Sequence, residues 1–160
     1  MEKFGHQGRL EDERMLKGAG RYVSDWNLPN QAYGQFLRSD RPHAEIASID
    51  ASAALAMPGV IAVLTGEDVA AANQKPMPAA APMKGRGGAE QKQTPRYSLA
   101  HGKARYVGES VALVVAKSVA EAHDAVEAIM GEHNELPGSV TAREAPPPGA
   151  AQLPTATRGN

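Results

Sequence analysis

"ARYVGESVALVVAKSVAEAHDAVEAIM", residues 104–130, decides the fold. Ser110 to Ala116 is near-continuous Val, Leu and Ala, which predicts a strand buried on both faces. Ser118 followed by Glu121 has the spacing of a capping box and opens a helix. Val119, Ala122, Val126, Ile129 and Met130 then recur as an apolar stripe at helical spacing, with Gly131 as the expected stop.

Just ahead of that strand stand Arg105, Tyr106, Gly108 and Glu109. One reading makes them a rim at a strand's mouth: burial disfavours a charged carboxylate, so Glu109 becomes the best acid or base in the chain. The other makes them scaffold. Arg105 lies four residues before Glu109 and Tyr106 three, so a turn at Gly108 folds them into a local ion pair and packing contact. The spacing favours the scaffold.

Working outward, residues 21–25 (RYVSD) predict a short strand closed by a turn around Pro29, and 31–39 (QAYGQFLRS) predict another. Residues 44–50 (AEIASID) alternate, and Asp50 caps a short Ala-rich helix that Pro58-Gly59 ends. VIAVLTG at 60–66 predicts a buried strand, with Thr65 and Asp68 capping the next helix. HNELPGSV, from His133, predicts a last short strand. Residues 73–93 carry no apolar repeat and predict a long mobile loop. The expected division is a polar arm at 1–20, a domain at 21–142 and a Pro-rich tail at 143–160. This order predicts the α+β class: a compact domain with a mixed β-sheet and two main short helices.

Composition narrows the chemistry. At 160 residues with abundant Ala, one domain with a thin core is expected. Lys plus Arg is 17 against 18 Asp plus Glu, so no bulk charge exists to hold nucleic acid or an anionic membrane. No segment approaches the roughly 20 apolar residues that span a bilayer, and the N-terminus has no apolar signal core; a cytoplasmic location is expected. The chain has no cysteine, which excludes disulfides, a thiolate nucleophile and sulfur-ligated metal from its own side chains. The histidines never fall at i, i+4 around a glutamate, and no G-x-S-x-G occurs. KGRGG at 84–88 has neither the preceding strand nor the following helix of a phosphate loop. His123 reads as a surface histidine on the helix flank.

Taken in order, "GRLEDERMLKGAGRYVSD", "LRSDRPHAEIASIDASAALAMPGVIAVLTGEDV", "ARYVGESVALVVAKSVAEAHDAVEAI" and "ELP" resemble the start of the large subunit of molybdenum hydroxylases. These are the xanthine dehydrogenase, aldehyde oxidase and carbon monoxide dehydrogenase enzymes, the bacterial carbon monoxide dehydrogenase branch being nearest. The resemblance runs from about Gly8 to Pro137 and implies that family's N-terminal α/β hammerhead domain. It also implies that a larger molybdopterin-binding region with the catalytic glutamate would follow, TATRGN resembling the junction. By that resemblance this chain inherits no catalytic, cofactor-binding or metal residue. Arg105, Tyr106, Gly108 and Glu109 are structural or interface candidates.

The implied partners are the molybdopterin-binding region or subunit and an iron–sulfur subunit. The implied cofactors of the whole complex are molybdopterin and iron–sulfur groups, with FAD as a further candidate, none of them bound by this chain alone. The sequence departs from the family at Ser110, where Pro is usual, at His133-Asn134, where a Tyr-Glu pair is usual, and at Gly138. Two rivals stand beside this reading: a free-standing binding or assembly module that reuses the domain, and an independent enzyme using Glu109 with Arg105.

Overall fold

The computed structural model describes residues 9–78, 84, 86–88, 94–139 and 141. Most of the expected 73–93 loop and the expected 143–160 tail lie outside the described residues. The chain divides into two units, Met1–Gln31 and Ala32–Asn160.

In the first unit, α1 (Asp12–Leu16) starts where the Asp12 carboxylate accepts the Arg9 amide at 2.9 Å, and Lys17 pairs with Glu13 at 2.6 Å. The strand expected at 21–25 does not form. Val23–Asp25 is a 3-10 turn, because Asp25 answers Tyr22 twice within four residues. Its carboxylate accepts the Tyr22 amide (2.9 Å) and its own amide donates to the Tyr22 carbonyl (3.0 Å). Local bonds satisfy this backbone where a strand would need a neighbour to pair with.

The second unit runs β1 (Tyr33–Arg38), β2 (Ala44–Asp50), α2 (Ser52–Leu55), β3 (Val60–Thr65), α3 (Gly66–Ala71), β4 (Lys103–Ala104), β5 (Ser110–Ala116), α4 (Val119–Glu127) and β6 (Met130–Glu135). The α+β class expected from the sequence holds. The strands make two three-stranded sheets, ordered β1-β5-β3 and β4-β2-β6, and every pairing is antiparallel.

The strand expected at 110–116 is β5, the centre of the first sheet. Its burial alternates from Ala112 onward: Ala112, Val114 and Ala116 are buried, Leu113 and Val115 only half-buried. A bulge where β1 passes from Leu37 to Arg38 leaves Val111 as the extra residue, so Val111 and Ala112 are buried in succession. The continuous aliphatic run therefore marks one fully buried face, and the other is half-covered.

Across the buried face lie α4 and α2. Ala54, Ala112, Val114, Ala125 and Ile129 make the core, with Leu37, Ile49, Val60, Val63 and Val126 packed against it. Ile49 belongs to β2, so the second sheet contributes to the same core.

The helix after β5 ends earlier than its apolar stripe suggested. It stops at Glu127, Val119 and Met130 are exposed, and Ala122, Ala125, Val126 and Ile129 form the packed stripe. Met130 to Glu135 is instead recruited by β2, from Asp50↔Met130 to Ala44↔Glu135. Gly131 serves close approach here: a Cβ would lie 2.8 Å from the His133 ring and 3.2 Å from Ile49 Cδ1. The last strand thus precedes most of the HNELPGSV stretch and takes only its first residues.

Three helix starts follow their sequence signals. The Asp50 carboxylate accepts the Ser52 amide at 2.9 Å, and Asp68 accepts the Thr65 amide (2.6 Å) and hydroxyl (2.9 Å). Ser118 Oγ accepts the Glu121 amide (3.2 Å) and donates to its carboxylate (2.8 Å).

Ser118→Ala removes that cap and is expected to lower unfolding free energy by about 1 kcal/mol in denaturant titration. The Thr65 bonds hold the Asp68 carboxyl below its ordinary value of 3.8, first through the Thr65 amide and then its hydroxyl. Because the folded-state pKa is depressed, the stabilisation is complete above the unfolded value and is lost as pH falls from there through the folded-state pKa. Stability measured from pH 6 downward is therefore expected to fall less steeply in Asp68→Asn than in the wild type.

Candidate functional site

The four sequence candidates occupy the link between β4 and β5. This chain segment reverses direction within five residues, which Gly108 permits by adopting φ +90°. The reversal turns Glu109 inward. It is 6 % exposed and is the one buried carboxylate among the described residues.

Its partners come from its own turn. The Arg105 amide donates to Glu109 Oε2 at 2.5 Å, and Arg105 Nη1 lies 3.6 Å from Oε1. The same guanidinium donates to the Lys103 carbonyl at 3.1 Å. The Glu109 amide donates to the Tyr106 carbonyl at 3.2 Å, while the Tyr106 side chain is 57 % exposed. Arg105 and Glu109 are thus joined through the Glu109 side chain, and Tyr106 joins them by its main chain.

Beside the turn lies Arg38 to His43, which the sequence carries within a resemblance motif but which was not among the candidate residues. Ser39, itself buried, donates its amide to the Glu109 carbonyl (2.8 Å) and accepts the Gly108 amide (2.7 Å). Arg38 Nη1 donates to the Gly108 carbonyl at 2.8 Å. Ser39 Oγ bonds the amide and carbonyl of Arg41, each at 3.1 Å, which bends the chain away from β1.

Farther along, Arg41 meets Glu135 at 2.5 Å. His43 Nδ1 lies 2.7 Å from the Pro137 carbonyl, and the His43 carbonyl accepts the Leu136 amide at 3.0 Å. RSDRPH therefore ties the 105–109 turn on one side and the end of β6 on the other. The signal was present as a short run of polar residues between two strands. Their partners, roughly 70 and 94 residues away, were not.

A cleft of about 360 Å³ opens beside this segment, with Leu37, Val111 and Ile129 as floor and Arg38, Arg41 and His133 at its edges. Arg41 is already paired there with Glu135 and Asp40. His123 pairs loosely with Glu127 at 3.6 Å on the exposed flank of α4, as a surface histidine should. No group of three or more His, Asp or Glu able to hold a metal occurs among the described residues, and the chain has no cysteine for a cluster. The described residues do not fit a metal or an iron–sulfur group, and the arrangement is a polar clasp around one carboxylate paired with Arg105.

Gly108→Ala tests the turn. A Cβ there meets nothing within 4 Å, so the cost is backbone conformation alone. A loss of about 1–2 kcal/mol is expected in the denaturation midpoint.

Residues 17–137 match the family model described as "Aldehyde oxidase and xanthine dehydrogenase, a/b hammerhead domain". The carbon monoxide dehydrogenase large chain of Afipia carboxidovorans is 40% identical over 145 residues, 91% of this chain and 17% of that protein. The nicotine 6-hydroxylase large subunit of Paenarthrobacter nicotinovorans is 40% identical over 121 residues, 76% of this chain and 14% of that one. The crystal structure of quinoline 2-oxidoreductase from Pseudomonas putida 86 superposes with a TM-score of 0.81 at 41% identity, over 95% of this chain and 18% of that chain. The chain thus spans less than a fifth of the length of these relatives.

Proposed function

We propose that this chain, which belongs to the aldehyde oxidase and xanthine dehydrogenase family as an a/b hammerhead domain, serves as a non-catalytic scaffold and interface. The domain boundaries proposed for that role are 21–142, with an arm before and a linker after. The whole assembly would be a cytoplasmic molybdopterin-dependent hydroxylase or carbon monoxide dehydrogenase-like oxidoreductase. This domain would pack on the molybdopterin-binding region and on an iron–sulfur partner. Molybdopterin, the clusters and any FAD would be held by those parts, which would also carry the chemistry.

The observation that carries this reading is the fate of Glu109. An acid or base needs a carboxylate whose proton can reach a substrate. Glu109 instead spends both oxygens on Arg105 within one turn, one on the amide and one facing the guanidinium. Arg105, Gly108 and Glu109 are proposed as structural residues, and Tyr106, exposed on the same turn, as an interface residue. A free-standing assembly module would use the same fold, but no observation among the described residues favours it.

Glu109→Gln separates scaffold from catalyst. Losing the charged acceptor while Arg105 stays largely buried should cost about 2 kcal/mol, read as a lower melting temperature. Turnover per folded enzyme complex is expected to stay unchanged. Loss of turnover with an unchanged melting temperature would overturn the scaffold reading.

A further inference from the structure

We infer that the outer face of the β1-β5-β3 sheet is the docking surface for the molybdopterin-binding region of the same large subunit, received through an apolar segment that carries a carboxylate. The inference rests on the family-domain reading above and names the surface and the chemistry that reading leaves open.

Cross-strand register builds the face. Phe36 of β1 stands opposite Leu113 of β5, which stands opposite Leu64 of β3. Residues directly opposite in antiparallel strands point to the same side, so the three side chains form one row across the sheet. Gly34, Val115 and Ala62 form the next row. A Cβ on Gly34 would lie 3.3 Å from Leu113 Cδ1, which places both rows on one side. The core lies on the opposite side, where Ala112, Val114 and Val63 pack with α4 and α2.

Phe36 and Leu64 remain 40 % and 41 % exposed, although a surface-facing strand position ordinarily carries a polar side chain. Next to Leu64 a mainly apolar groove continues along Val69 of α3 and Ala72 just past its end, with Asp68 and Gln74 also lining it. Two rows of uncharged side chains plus a groove make a continuous apolar surface of the kind that marks a contact.

Two facts choose the occupant. The chain spans 17% of the carbon monoxide dehydrogenase large chain and 18% of the quinoline 2-oxidoreductase chain, so a domain of this family has most of a subunit to pack against. At the rim, Arg38 sits over the Phe36 ring at 5.7 Å and gives Nη1 to Gly108 and Ser110. No carboxylate among the described residues lies within ion-pair distance of it. A guanidinium beside an apolar patch is matched by an apolar segment with an acidic residue at the corresponding end.

The test co-expresses the chain with the molybdopterin-binding region of its large subunit and measures association by co-purification and titration. Leu64→Asp and Phe36→Asp are expected to weaken association by about tenfold or more each, as apolar anchors do. Both should keep the wild-type circular dichroism, because each side chain is already substantially exposed. Arg38→Gln should weaken association at an unchanged circular dichroism, a readout needed because Arg38 also donates to the Gly108 carbonyl. Val119→Asp, which puts the same charge on exposed helix surface, should bind like the wild type.

Wild-type association with no loss in Leu64→Asp or Phe36→Asp would overturn the surface assignment and leave the family-domain reading standing. No wild-type association at all would sink both. Self-association of the wild type that Leu64→Asp abolishes would replace the occupant by a second copy of the chain.

Discussion

Ser39 exchanges two main-chain hydrogen bonds with the 105–109 turn, donating to the Glu109 carbonyl and accepting from Gly108. The rest of the domain depends on this pair. It fixes where β5 enters the sheet beside β1, and hence the register that places Ala112 and Val114 under α4. The Ser39 hydroxyl, bonded to the amide and carbonyl of Arg41, holds the bend through which the chain leaves β1 and enters β2 of the second sheet. Glu109 and Arg105 support the main-chain bond pair by closing the turn that presents it. A buried carboxylate is tolerated here because donors within its own turn reach it.

The core is assembled largely from small residues, and close approach compensates for their small area. Ala54, Ala112, Ala122 and Ala125 are at most 1 % exposed, and Val111 and Val114 are the largest fully buried side chains. Helix and sheet can come near each other only because little stands between them. The same economy explains Gly66, where a Cβ would fall 2.1 Å from the Ala100 carbonyl oxygen. A core of this kind supplies little apolar area per residue, and two of the central strand's six aliphatic side chains, Leu113 and Val115, are left on the face away from it. Such a domain is well suited to completion by a neighbour, which joins its thin core and its half-covered sheet face in one explanation.

The clasp and the apolar rows divide the work of the domain between them. The clasp keeps charge inside the fold and neutral, while the rows leave aliphatic and aromatic carbon outside it. The proposed scaffold role would need both: internal order that does not rely on the partner, and a surface the partner can cover.

Much of this was legible before any coordinates. Near-continuous Val, Leu and Ala bound Ser110–Ala116 as a strand, and Ser118-x-x-Glu121 began the helix at the residue where it begins. Thr65 with Asp68 and Asp50 with Ser52 are caps whose donors and acceptors lie three residues apart or closer, so the sequence carries both partners. The turn around Glu109 was readable for the same reason.

What the sequence could not decide involved distant partners. Residues 21–25 look like a strand until strand neighbours are sought, and Met130 looks helical until Asp50 pairs with it. The roles of Ser39, Arg41 and His43 required the 105–109 turn and the end of β6 to arrive beside them. Local hydrogen bonds and capping are written in adjacent residues; register, and with it the side of a sheet that stays bare, is settled only when strands far apart in the chain meet.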